Sequence, residues 1–252
     1  MDRWYEKAVT TWPDVLDETA AKFGDRTYIA FEGKHVTFRD FHEQVNSLAK
    51  AFLELGVRKG EKVGIWMTNC PEYLVTQFAV YKVGAVVVPL YSYFKEAELE
   101  YQLRQADVTT CVMKDSFIKG KINALARFRN VCPEIDGFTP EQFHSEKLPY
   151  LRRVIALRGE KTKGRYDWDQ LLDRGSGTHR DADLREAQAS IDPFDVMNIA
   201  FTSGHIVMLL AFEYSFAVRP NASGCRFSQS IMPSWSGVNV STIPTAYCFG
   251  WT

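Results

Sequence analysis

Apolar residues recur every three or four positions behind two short polar motifs. Thr11-Trp12-Pro13-Asp14 and Thr37-Phe38-Arg39-Asp40 each place an aspartate three residues after a threonine, the capping-box pattern of a helix start. One helical face behind the second motif carries six apolar residues: Phe38, Phe41, Val45, Leu48, Phe52 and Leu55. The patterns predict a first helix that runs to Gly24 and a second that ends at Gly56, because glycine commonly terminates helices.

Short runs of β-branched and apolar residues follow and alternate with further helical segments. Residues 62–67, 85–90 and 108–113 are typical of buried strands, and helices are predicted at 71–82 and 97–105 between them. Strands that alternate with helices in this order predict an α/β fold, in which a parallel sheet carries helices on both faces. Sheets of this kind bind ligands at the carboxyl ends of their strands.

The rest of the chain gives weaker signals. A strand is predicted at residues 27–32, another at 152–157 and a short helix at 168–172. Residues 175–183 are predicted to form an exposed polar loop. A last strand at 196–201 leads directly into Thr202-Ser203-Gly204.

The composition changes abruptly after Gly204. Residues 205–252 contain only Glu213, Arg219 and Arg226 as formal charges, and no sustained helical or strand period. Such a break can mark a domain boundary or a reading-frame error. We favour the second, because out-of-frame translation abolishes the charge pattern and the periodicity together. The predicted division is therefore a domain portion at 1–204 and an atypical tail at 205–252.

The overall composition of the chain limits the classes of protein to which it can belong. A formal net charge of -1 argues against a general nucleic-acid binder, and no apolar run approaches the roughly 20 residues that span a bilayer. The five cysteines are scattered, without the paired spacing of a zinc site or a disulfide scaffold, so no metal ligand is assigned. These features favour the reducing cytoplasm, and an organelle stays open if a targeting peptide is missing.

A candidate phosphate site lies at the end of the last strand. Residues 192–204 read Asp-Pro-Phe-Asp-Val-Met-Asn-Ile-Ala-Phe-Thr-Ser-Gly. A strand that enters a small, hydroxyl-rich turn can direct backbone N–H groups at phosphate oxygens, although most Thr-Ser-Gly sequences are ordinary turns.

Residues 192–204 resemble the phosphate loop of adenylate-forming enzymes, whose pattern is Asp-Pro-x-Asp, a hydrophobic strand and Thr-Ser-Gly-Thr-Thr-Gly-x-Pro-Lys-Gly. Asn69-Cys70-Pro71-Glu72 and Gly84-Ala85-Val86-Val87-Val88-Pro89-Leu90 resemble earlier landmarks of the same superfamily, in the same order.

The resemblance identifies an AMP-forming acyl-CoA synthetase of the medium- or long-chain fatty-acid type, represented by the N-terminal part of its AMP-binding domain without the C-terminal lid domain. Such enzymes activate a carboxylic acid with ATP and Mg²⁺ to an acyl-adenylate and transfer the acyl group to coenzyme A. By resemblance, Thr202, Ser203 and Gly204 would contact ATP phosphates. No residue of this chain is assigned a catalytic role.

The chain departs from the family pattern immediately after that turn. His205-Ile206-Val207-Met208 stands where the family has Thr-Thr-Gly-x-Pro-Lys-Gly, so the loop lysine is missing. We therefore expect a truncated chain that is inactive alone. Two alternatives stay open: a non-catalytic truncated or pseudogene product, and an acyl-AMP or aryl-acid ligase that uses a different acceptor.

Overall fold

The computed structural model describes residues 10–160, 163–177, 179–202 and 205–210. Its helices are α1 (Trp12–Phe23), α2 (Phe38–Glu54), α3 (Pro71–Lys82), α4 (Glu96–Gln105), α5 (Ala124–Val131), α6 (Trp168–Gly175) and α7 (Asp181–Ala189). Its strands are β1 (Thr27–Phe31), β2 (Lys34–Thr37), β3 (Lys62–Trp66), β4 (Val86–Pro89), β5 (Val108–Lys114), β6 (Ser116–Phe117), β7 (Ile122–Asn123), β8 (Arg153–Leu157), β9 (Tyr166–Asp167), β10 (Val196–Thr202) and β11 (His205–Leu210).

Seven strands form the central sheet, in the order β11-β10-β4-β3-β5-β8-β9. Every neighbouring pair in it is parallel except β10 with β11, which is antiparallel. The structure therefore confirms the predicted α/β fold. The predicted strand at 27–32 also forms, but β1 pairs with β2 in a separate antiparallel hairpin outside the parallel sheet.

Helices cover both faces of the sheet, as predicted. On one face, α1, α2, α3 and α6 surround a core that includes Phe41, Phe52 and Ile65. On the other face, α4 and α5 pack over a second core that includes Trp66, Leu99 and Phe128. Because side chains alternate between the faces of a strand, neighbours such as Ile65 and Trp66 in β3 serve different cores.

Both predicted capping boxes form. The Asp14 amide donates to the Thr11 hydroxyl at 3.4 Å, and the Thr11 amide donates to the Asp14 carboxylate at 3.2 Å. The equivalent distances at the start of α2, between Thr37 and Asp40, are 3.1 and 3.3 Å. A cap of this kind contributes about 1 kcal/mol to helix stability. Because its pattern lies within four consecutive residues, both helix starts could be predicted from the sequence.

One prediction about the second half of the chain is wrong. The polar segment 175–183 is not a loop throughout, because α7 begins at Asp181. Within α7 only Leu184 is a buried apolar residue, so the sequence carries no apolar period that would reveal a helix. Residues 205–210, for which no period was found, form strand β11. The remainder of the predicted tail lies outside the described residues.

Hydrogen bonds to one carboxylate, that of Asp17, join four helices on the first face. The Asp17 carboxylate in α1 accepts hydrogen bonds from Lys82 of α3 at 2.5 Å, from His42 of α2 at 2.7 Å and from Gln188 of α7 at 2.8 Å. Burial alone would raise the pKa of Asp17, but the hydrogen bonds and the Lys82 charge hold that pKa well below its ordinary value. Burial also lowers the pKa of Lys82, whose side chain is only 3% exposed. The contact with Lys82 thus stabilises the ionised form of Asp17. Burial still removes water from the Lys82 ammonium group, and this loss of hydration lowers the pKa of Lys82.

Replacing Asp17 with asparagine is expected to destabilise the fold by about 1–2 kcal/mol at pH 7. The value is discounted from that of a fully buried pair, because the Asp17 side chain is 38% exposed. A lowered folded-state pKa stabilises the fold above the unfolded value near 3.9, and that contribution disappears as the pH falls below it. Urea titrations between about pH 5 and pH 2 should therefore show a smaller pH dependence in Asp17→Asn than in the unsubstituted chain. Asp25→Asn, at a side chain that is 91% exposed, is the control and should keep the original pH dependence.

Candidate functional site

The candidate site lies where the parallel strands end. Strand β10 pairs with β4 on one side, through Asn198 and Val87, and with β11 on the other. Thr202 is the last residue of β10, so the structure places its backbone at the carboxyl edge of the sheet, where ligands of α/β proteins bind. Ser203 and Gly204 lie outside the described residues.

The connection after Thr202 is short. Thr202 and His205 are partners in the antiparallel pair, so two residues separate the paired ends of β10 and β11. Phosphate binding by such a loop depends on several backbone N–H groups and on a cation. A two-residue connection supplies few of these donors, and the sequence has no lysine between Thr202 and Leu210. The residues present therefore do not form the complete phosphate loop of the family pattern.

A buried polar contact fixes the middle of β10 against α3. The Asn198 side-chain amide donates to the Tyr81 hydroxyl at 2.7 Å, and Gln77 donates to the same oxygen at 2.7 Å. Burial raises the pKa of Tyr81 to about 12, although the two hydrogen bonds oppose that shift. The hydroxyl is therefore protonated at neutral pH. This contact was not predicted from the sequence, although an asparagine inside an apolar strand signals a buried polar partner.

Aromatic rings occupy the same edge of the sheet. Trp66, the last residue of β3, donates its indole N–H to the Tyr91 carbonyl at 3.1 Å. The rings of Tyr91 and Tyr93 lie 5.2 Å apart, and both side chains are more than half exposed. Tyr101 of α4 lies 6.5 Å from the ring of Phe201 in β10. Tyr91, Tyr93 and Tyr101 thus expose aromatic rings near the carboxyl ends of β4 and β10. These rings were not predicted as part of the site, although residues that directly follow a parallel strand commonly line ligand sites.

The described residues provide no cluster of side chains suited to a divalent cation. Among them, no group of three or more His, Cys, Asp or Glu side chains lies close enough to hold a metal ion. A Mg²⁺ ion that accompanies ATP commonly keeps several waters and binds through one or two carboxylates together with phosphate oxygens. This part of the chain therefore holds no preformed all-protein site for Mg²⁺.

A largely parallel sheet with helices on both faces, in which β10 ends with Thr202 at the carboxyl edge, defines the class of the molecule as a candidate nucleotide-binding α/β domain. Residues 16–204 match the AMP-binding enzyme family, and the chain belongs to that family. It is 31% identical to the mitochondrial medium-chain acyl-CoA ligase ACSF2 of Mus musculus over 197 residues, which are 77% of this chain and 32% of that protein. It is 39% identical to a long-chain-fatty-acid–CoA ligase of Bacillus subtilis over 161 residues, which are 64% of this chain and 28% of the relative.

A solved structure agrees with these relatives. The long-chain-fatty-acid-CoA ligase FadD1 of Archaeoglobus fulgidus superposes with a TM-score of 0.60 and 25% identity, over 81% of this chain and 36% of that one. The chain thus spans about a third of the length of the curated relatives it matches. Across the part of the chain that the structure describes, every helix is too short or too polar to cross a membrane.

Proposed function

We propose that this chain is the N-terminal part of an AMP-forming fatty-acid–CoA ligase. The family match over residues 16–204 supports this proposal, as do relatives named as medium-chain and long-chain acyl-CoA ligases. In this proposal the substrate is a fatty acid, the cosubstrates are ATP and coenzyme A, and Mg²⁺ accompanies the nucleotide. The cytoplasm is the proposed compartment.

The proposed phosphate contacts are Thr202, Ser203 and Gly204. Support comes from the position of the Thr202 backbone at the carboxyl edge of the sheet, the edge at which α/β proteins bind ligands. In a complete enzyme, the carboxylate would attack the α-phosphate of ATP, forming a mixed anhydride with AMP and releasing pyrophosphate. We infer that this chain alone does not perform that step. The observation that carries this inference is the two-residue spacing between the paired residues Thr202 and His205, where the family loop and its lysine would lie.

Exchange of labelled pyrophosphate into ATP tests this inference directly. The purified chain is expected to show no exchange above a protein-free blank with MgATP and an octanoate, laurate, palmitate or benzoate substrate. Exchange with a fatty acid would show that the chain is active alone and would overturn the inference. Exchange with benzoate only would overturn the fatty-acid assignment as well.

A loop-insertion variant tests the phosphate contacts separately. Placing Thr-Thr-Gly-Ala-Pro-Lys-Gly between Gly204 and His205 should strengthen MgATP binding by about tenfold or more, because a lysine–phosphate contact contributes about 1.5–3 kcal/mol. Equilibrium dialysis with labelled ATP measures the gain. The matched control carries methionine in place of the inserted lysine and should lose most of it. If the lysine and methionine insertions bind ATP equally, residues 202–204 do not lie at a phosphate site.

A further inference from the structure

A lysine outside the candidate site contacts the segment that leads into β10. Lys59 lies in the connection between α2 and β3. Its ammonium group is 2.6 Å from the Ser190 carbonyl oxygen and 2.6 Å from the Asp195 carboxylate. Ser190 directly follows α7, and Asp195 directly precedes β10. One side chain thus holds both ends of the six-residue connection between these elements.

The backbone around Gly84 makes room for this lysine. Gly84 lies between α3 and β4 with φ +68, a conformation that side chains with a Cβ rarely adopt. A Cβ at Gly84 would lie 3.1 Å from Lys59 Cγ and 3.4 Å from Ile191 Cγ1. The Gly60 amide donates to the Gly84 carbonyl at 2.9 Å, which fixes the Lys59 loop against the same glycine. The aliphatic stem of Lys59 therefore packs over Gly84, and the side chain as a whole is 41% exposed.

The connection that Lys59 contacts is itself a closed turn. The Asp192 amide donates to the Asp195 carboxylate at 2.7 Å, and the Asp195 amide donates to the Asp192 carbonyl at 2.8 Å. The Phe194 amide donates to the Asp192 side chain at 2.8 Å. These bonds make residues 192–195 one unit, so a contact to Asp195 constrains the turn as a whole and, through it, Val196 at the start of β10.

We propose that Lys59 is a positioning residue for β10, and so for Thr202 at the far end of that strand. Its relevance to nucleotide binding rests on the proposed function. The charge of Lys59 acts on two acceptors that flank the turn, and Gly84 fixes the path of its stem. An ordinary exposed ion pair joins two mobile side chains and contributes little, whereas this contact includes a backbone carbonyl and a hydrogen-bonded turn.

Hydrogen–deuterium exchange of the whole chain, measured by mass spectrometry, tests the proposal. Lys59→Met keeps the stem and removes the charge, and should speed exchange of amides in 192–202 by about fivefold, while β3 and β5 keep their protection. Lys59→Arg keeps the charge and should restore most of the protection. Lys147→Met makes the same change at an exposed residue elsewhere and should leave 192–202 unchanged.

A second variant addresses the partner side chain. Asp195→Asn retains an oxygen that can accept the Asp192 amide but removes the negative charge that faces Lys59, so it should speed exchange in the same peptides. Unchanged exchange of 192–202 in both Lys59→Met and Asp195→Asn would overturn the proposal. An equal rise in every peptide, accompanied by a lower thermal midpoint, would also overturn it, because the effect would then be global. No nucleotide enters these measurements, so their outcome is independent of the ATP-binding and exchange assays.

Discussion

Replacing Arg153 with methionine should lower the free energy of unfolding by about 3–5 kcal/mol, the range found when one partner of a buried ion pair is removed. Arg153 begins β8, and its side chain is 11% exposed. Its guanidinium donates to the Leu55 carbonyl at 2.7 Å, to the Gly56 carbonyl at 2.9 Å and to the Glu61 carboxylate at 2.9 Å. The substitution leaves the Glu61 carboxylate, whose side chain is 16% exposed, and two carbonyls at the end of α2 without these donors.

The adjacent residue provides a matched control. Arg152 has a side chain that is 62% exposed, and its guanidinium lies 3.9 Å from the same Glu61 carboxylate. Because exposed pairs contribute little, Arg152→Met should change the free energy of unfolding by less than about 0.5 kcal/mol. Urea denaturation at pH 7 compares the two variants. Equal losses would show that net charge near Glu61, and not the buried hydrogen bonds of Arg153, determines stability there.

Gly175→Ala is expected to cost about 3 kcal/mol, at the upper end of the range for overpacking. Gly175 is the last residue of α6, where that helix meets α2. A Cβ at this position would lie 1.7 Å from the Ser47 carbonyl oxygen, which belongs to the α2 backbone. A backbone atom within a helix cannot rotate away as a flexible side chain can, so α6 must shift away from α2. The thermal midpoint should fall and α6 amides should exchange faster.

Gly137→Ala controls for the general effect of adding a methyl group to a glycine. Gly137 has φ -96, which any residue adopts, and a Cβ there would lie 3.5 Å from the Glu134 carbonyl, an ordinary contact. Its free energy of unfolding should change by less than about 0.5 kcal/mol. A loss at Gly137 as large as the loss at Gly175 would refute the steric explanation.

The first half of the fold could be predicted because its signals are local. The capping boxes at Thr11 and Thr37 define two helix starts, and the apolar period behind them defines the buried faces. Helix α7 escaped prediction because polar side chains hold it in place. Gln188 donates to Asp17 and Asp14, while Lys50, only 5% exposed, contacts Asp181. Contacts between residues more than 100 positions apart leave no periodic trace in a sequence.

The candidate site could be predicted only in part, for a related reason. A strand that ends in Thr202 follows from the run of apolar residues before it, and the structure confirms that strand. Its pairing with β4, which lies far earlier in the chain, does not follow, because strand order depends on the packing of both faces. The contact between Asn198 and Tyr81 and the role proposed for Lys59 likewise depend on tertiary proximity. The assignment of Thr202, Ser203 and Gly204 to ATP stays a prediction.

The pairing of Thr202 with His205 has a consequence for how this domain could change over evolution or by engineering. The strands on either side of the turn are held by the sheet, so the length of the connection is largely independent of the scaffold. The entropic cost of a longer connection grows slowly, by about 0.6 kcal/mol for each doubling of its length. Loss or regain of a nucleotide loop between Thr202 and His205 is therefore a nearly modular event, which alters the chemistry of the domain while leaving its architecture almost untouched.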